Sequence, residues 1–188
     1  DVNGSSSIAA LPLGATITGN VNVQRFIKGS SDVGGTGDLS KRGYRLLSSA
    51  VYTGIDGNGN HVSDLQYFLN SVYVSGAGAG ANGFNVTTTQ NPSIYLFRED
   101  VAPPPSNTTL FTTGYNWKGV AKINNIPAYN IGTQAKGTTS NINDATITIP
   151  SGNGILFFFR GDLTTSLTAP LTPPNDVTLT QTGNLNTG

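Results

Sequence analysis

The sequence predicts an all-β domain, a β-sandwich or jelly-roll-like fold with at most one short helix, at about residues 63–74. Three observations predict it. Apolar and polar residues alternate with period two in one segment after another, which puts them on opposite faces of a strand. Gly, Thr, Ser and Asn together make up about 45% of the 188 residues, and clusters of them separate the alternating runs as turns. The 3.6-residue period of a helix is nearly absent.

The elements follow in chain order. In residues 20–24, Val21 and Val23 face one way while Asn20, Asn22 and Gln24 face the other. Residues 29–37 read as a loop. Residues 63–74 hold the one helical pattern, with Leu65, Phe68, Leu69 and Val72 on one face and Ser63 or Asp64 placed to cap it. Residues 76–83 contain a short silk-like Gly-Ala repeat, and a flexible loop is the plainer reading. Residues 93–97 and 155–159 are apolar on both faces, so they belong in the middle of a covered sheet. Between them, 101–106 is a loop stiffened by Pro103, Pro104 and Pro105. Residues 145–149 and 176–182 alternate again, with Thr on the wet face. The stretch Pro150-Ser-Gly-Asn-Gly154 reads as a hairpin turn between two strands. Residues 1–18 form an N-terminal extension or linker, 19–183 a single β-sandwich domain, and 184–188 a linker to a following domain. Asp1 is not an initiator Met, so the chain is expected to be a processed piece of a longer protein.

Composition narrows the function. Charged residues are 11% of the chain, against about 25% in an average soluble domain. Ten basic and ten acidic residues cancel, and no basic patch stands out, so a nucleic-acid partner is not expected. No apolar run reaches the ~18 residues of a membrane-spanning helix, and no membrane insertion is expected. With no Cys, disulfides and thiolate metal sites are excluded. Short neutral polar side chains and the absence of Cys and Met suit an extracellular protein, and the lack of disulfides favours a bacterial surface over an animal one.

Four motifs bear on chemistry. Asp56, Asn58, Asn60 and Asp64 stand at positions 1, 3, 5 and 9 of a calcium loop, with Val62 as the apolar residue at position 7. Short oxygen-bearing side chains separated by Gly can wrap a hard cation. His61 replaces the usual Gly at position 6, however, and Tyr67 replaces the bidentate Glu at position 12. Calcium is thus the one candidate cofactor, against a solvated turn with Asp64 as a helix cap. Tyr115 and Trp117 share a face of a strand and would form a platform for sugar rings, with Asn116 supplying hydrogen bonds; the alternative is a core Trp. Arg160-Gly161-Asp162 is the tripeptide read by integrins, but it directly follows the apolar run 155–159, where local polar contacts are the plainer role. His61 is the only His and Glu99 the only Glu, and the remaining acids sit in Gly/Ser/Asn loops, so neither a zinc site nor a hydrolytic carboxylate pair is indicated. His61 itself reads as a solvated loop residue.

Four segments carry a resemblance: Gly19-Asn-Val-Asn-Val-Gln-Arg-Phe-Ile27, Gly43-Tyr-Arg-Leu-Leu-Ser-Ser49, Ile155-Leu-Phe-Phe-Phe-Arg-Gly-Asp162 and Val177-Thr-Leu-Thr-Gln-Thr-Gly183. In order and spacing they resemble a module of long, multidomain secreted proteins of Bacteroidota, exported by the type IX secretion system. The departures are Ala50, where Pro is common, and residues 56–60, which look like an insertion. The resemblance implies an extracellular or cell-surface location and neighbouring domains of the same polypeptide as partners. It implies no catalytic residues. The expectation is a non-catalytic module with an adhesion or structural spacer role. The alternatives are a carbohydrate-binding module serving an enzyme elsewhere in the chain, contacting polysaccharide or cell-surface glycan, and a small glycan-acting hydrolase.

Overall fold

The computed structural model describes residues 12–29, 42–76, 78–85, 91–97, 117–123, 128–132, 143–168 and 173–187. Among them the chain is all-β, in antiparallel sheets, as the alternation predicts. The strands are β1 (Asn20–Ile27), β2 (Gly43–Ser48), β3 (Val51–Tyr52), β4 (Gly54–Ile55), β5 (His61–Val62), β6 (Ile94–Phe97), β7 (Trp117–Lys122), β8 (Ala128–Gly132), β9 (Asn143–Thr148), β10 (Gly154–Phe159) and β11 (Val177–Leu185).

Two of these sheets face each other across the core. One has three strands in the order β1-β11-β3 and the other six, in the order β2-β10-β6-β7-β8-β9. β4 and β5 make a separate hairpin. β10 and β6 occupy interior positions, as their two-sided apolarity requires. On β10, Ile155, Phe157 and Phe159 are buried inward, while Leu156 and Phe158 are half-buried on the outer face. Ile27, Val177 and Leu179 of the smaller sheet join Leu47, Ile94, Leu96, Val120 and the β10 residues in one cluster. β1 pairs with β11 along its whole length, from Asn20 opposite Asn184 to Ile27 opposite Val177. The alternating exposure of β11 matches the expected Thr-rich wet face, and the strand runs on through Leu185.

Three local expectations are corrected. The helix is a 3-10 helix of five residues, Gln66–Asn70, rather than a longer turn over 63–74. Asp64 Oδ1 accepts the Gln66 N–H at 2.6 Å and fixes its start. Beyond Asn70 the β-branched Val72 and Val74 favour extended backbone, and Val72 bridges to Asp162. Phe68 still plugs the core, with its ring 4.8 Å from that of Phe157. The Gly/Ala segment is not a featureless loop: Ala79–Asn82 is a second 3-10 helix, followed by Phe84, whose N–H donates to Ala79 O.

Residues 150–154 do turn, with Asn153 N–H donating to Pro150 O, but they do not close a hairpin. β9 and β10 are separated in the sheet by β8, β7 and β6. Four strand spacings are about 19 Å in a flat sheet. The five-residue link would reach that far only if fully extended at ~3.3 Å per residue, and bent into a turn it cannot. The large sheet therefore curls until its far edge returns toward β10, helped by the register shift between Val120 and Lys122. Ser63 N–H donates to Ile149 O, tying the returning edge to the segment after β5. The Val51 carbonyl accepts from Ser63 and Ser151 hydroxyls at 3.0 and 2.9 Å, joining both to β3.

Phe157 is fully buried at the contact of sheet and 3-10 helix. Phe157→Ala is expected to destabilise the domain by about 3–5 kcal/mol in urea unfolding. Leu46→Ser, on the exposed outer face of β2, is expected to change stability by no more than about 0.5 kcal/mol.

Candidate functional site

The residues proposed for calcium divide into two places. Asp56, Asn58 and Asn60 share the turn between β4 and β5. Asp64 lies beyond the other end of β5, because Gly54 pairs with Val62 and the two aspartates leave that pair in opposite directions. At ~3.3 Å per residue they stand about 13 Å apart along the ladder, so the four side chains do not converge on one ion. The Asp56 carboxylate is instead ringed by protein donors. Oδ1 accepts Asn58 N–H at 2.9 Å and Asn60 N–H at 2.8 Å. Oδ2 accepts Asn60 Nδ2 at 3.0 Å and the Thr148 hydroxyl at 2.8 Å. These bonds, those from the Asn60 side chain and backbone foremost, hold its pKa down to about 2. Among the described residues no group of three or more His, Cys, Asp or Glu is arranged to hold a metal.

Of the sugar platform, Tyr115 and Asn116 lie outside the described residues. For Trp117 only the backbone is described, at the start of β7 opposite Phe97. His61 is not a solvated loop residue: it is half-buried on β5, with its ring stacked on Tyr52 at 3.9 Å and 8°. The Arg-Gly-Asp tripeptide is used internally. Arg160 lies 4.8 Å over the Phe158 ring and donates to the Ser93 hydroxyl. Gly161 has φ +118°, and a Cβ there would sit 2.2 Å from Thr165 Oγ1. Asp162 accepts Thr164 N–H and the Thr164 and Thr165 hydroxyls. Burial pushes its pKa up, but these bonds and one from Asn175 outweigh that and leave it lowered.

Two surfaces remain that present recognition chemistry. The first is the outer face of the large sheet. Leu46, Leu156 and Tyr95 form one cross-strand row, with Gly119 opposite Tyr95. A Cβ at Gly119 would meet Pro92 at 2.5 Å, so glycine lets Pro92 close over this end of the row. Tyr44 and Phe158 form the next row, edge to face with ring centroids 5.0 Å apart. Tyr44 is 41% exposed and Leu46 72%.

The second surface is a groove of about 450 Å³ between β1 and β2, the edge strands of the two facing sheets on one side of the sandwich. Arg25, Lys28 and Arg45 line it with Phe26, Ile27, Leu46 and Leu47. Sequence reasoning missed this basic patch. The missed signal was the row Val21, Val23, Arg25, Ile27, in which a cation interrupts the core-facing alternation.

Four outcomes test the turn assignments. Because the folded pKa of Asp56 lies below its ordinary 3.8, its stabilising contribution is complete above about pH 4 and is lost as pH falls through about 2. An NMR titration of the Asp56 carboxyl is expected to show the depressed midpoint, and Asp56→Asn to remove that part of the acid sensitivity. Melting temperature is expected to be the same in EDTA and in millimolar calcium. Asp162→Ala is expected to lower stability by about 1 kcal/mol through loss of its turn bonds, as read by thermal unfolding. No family model, curated protein or solved structure matches the chain.

Proposed function

We propose that this chain is a non-catalytic module of a secreted or cell-surface bacterial protein, built to hold and present binding surfaces, with glycan as the contacted material. One observation carries the reading. Each of the four aspartates whose side chains are described fastens a turn or loop by accepting a backbone N–H: Asp56 from Asn58 and Asn60, Asp64 from Gln66, Asp162 from Thr164, and Asp176 from Gly29. General acid–base work needs carboxyls that face a substrate, and these face the backbone. On the outer face of the large sheet, Tyr44 and Leu46 of β2 are exposed to solvent, and cations line the β1–β2 groove. An exposed aromatic ring such as that of Tyr44 suits the C–H face of a sugar, which supports adhesion to glycan over a purely spacing role. The likeness of four segments to modules of type IX-secreted proteins supports the location and the multidomain setting.

Shallow contacts of this kind are individually weak, and strength comes from many modules acting together. The test is incubation of the purified chain with an array of cell-wall polysaccharides, reading both retention and soluble product. Retention without product is expected, with weaker retention by Tyr44→Ala on neutral glycans. Release of product that is abolished by an Asp→Asn substitution would overturn the reading, as would the absence of retention on every polysaccharide.

A further inference from the structure

We propose that Arg25 guards the open edge of β1 and keeps a second copy of this chain from adding a strand to the smaller sheet, whatever the module adheres to. Successive residues of an antiparallel strand send their N–H and C=O groups to alternate sides. Asn186 N–H donates to Ala50 O just before β3, so the even-numbered residues of β11 face β3 and the odd-numbered ones face β1. Val21, Val23, Arg25 and Ile27 are the partners of those odd-numbered residues. The N–H and C=O groups of Asn20, Asn22, Gln24 and Phe26 are therefore turned to the outer side of β1, which is the terminal strand of its sheet. An edge of eight residues is a template for a further strand.

Everything else about β1 favours such pairing. Val21, Val23 and Ile27 lie on its inner row, and Asn20, Asn22 and Gln24 put no charge on the outer one. The net charge of the chain is zero, so no general repulsion holds copies apart. Arg25 alone breaks the aliphatic row. It is exposed, yet it stands opposite Leu179, which is 2% exposed, and so belongs to the inner face. An antiparallel copy of β1 that matches inner row to inner row sets Arg25 against Val21, Val23, Ile27 or a second Arg25. Each register shuts a guanidinium into an apolar row or places it beside a like charge, which costs more than the few backbone bonds return.

The other edges of the facing sheets are closed by other means. β3 has two residues, too few to template a strand. β9 leads into Ile149 and Pro150, which are tied back to Ser63 and Val62. On β2 an arginine of the inner row does the closing. Phe158 N–H donates to Ser93 O, so Phe158 faces β6 and its β2 partner Tyr44 turns its carbonyl to the open edge. Arg45 Nη1 donates to that carbonyl at 3.0 Å. The Arg45 side chain is half-buried, with its guanidinium 5.8 Å over the Phe159 ring, and so is held where it covers the edge. Each of the two longer open edges thus carries one arginine among its core-facing residues.

The experiment is sedimentation velocity of the intact chain and its variants over a concentration series, with melting temperature and amide hydrogen exchange in parallel. Wild type is expected to sediment as a monomer throughout. Arg25→Val is expected to shift to dimers or larger species as concentration rises, with a melting temperature no lower than wild type, because Val favours a strand. Arg25→Glu keeps a charge on the inner row, and Gln24→Val adds the same side chain to the outer one; both are expected to stay monomeric. In associated Arg25→Val, exchange is expected to slow at the Asn22, Gln24 and Phe26 amides, which face the open edge. Should Arg25→Val precipitate, Arg25→Thr, neutral and equally suited to a strand, is read in its place. A neutral Arg25 variant that stays monomeric would overturn the proposal, as would a wild type that already dimerises. So would association of Arg25→Glu as strong as that of Arg25→Val, or association that leaves those amides unprotected.

Discussion

Strand β10 must be covered on both faces and hydrogen-bonded on both edges, and the other elements are arranged around that requirement. Its inner row of Ile155, Phe157 and Phe159 needs a second layer, which the β1-β11-β3 sheet and Phe68 provide. Its outer row gives Phe158 to the Tyr44 ring on one side and to the Arg160 guanidinium above. Its edges are taken by β2 and β6. With β10 fixed, β2 becomes an edge strand, and the groove at that edge follows from the same arrangement.

The chain uses its few charges in two distinct ways. The described carboxylates are engaged within loops and turns, where they replace the side-chain and helix-cap fastening that longer polar residues supply elsewhere. Several of the cations are left at rims and edges, where they meet solvent or an aromatic ring. That asymmetry gives a neutral protein a locally positive opening. A composition poor in charge can still carry a local electrostatic feature, because net charge describes the whole chain and not where its charged groups are gathered.

Strand identity was readable because period-two alternation is a local signal. Residues 20–24, 93–97, 145–149, 155–159 and 176–182 all fall within or across observed strands. Pairing was not readable. Nothing near residues 150–154 says that β9 and β10 lie at different places in a curled sheet, since that order is decided by contacts far away in sequence. The groove was hidden for a related reason. Ending the first strand at Gln24 leaves Arg25 as an ordinary surface cation, and only the continuation of β1 to Ile27, held by Val177 and Leu179, turns it into the inner row. The calcium pattern failed at Asp64 because spacing along the chain carries no information about which way a hairpin sends its two arms.

The full-length pairing of β1 with β11 has a mechanical consequence. Asn20 and Asn184 are partners, so the chain enters β1 and leaves β11 at the same end of one antiparallel ladder. In a string of domains such a unit hangs as a pendant beside the axis. Tension applied through its two ends loads the ladder rung by rung from Asn20 inward, like a zipper, and never in shear along its length. On the proposed reading as one module of a string, such a ladder would open at modest force, lengthen the tether and let neighbouring attachments share the strain.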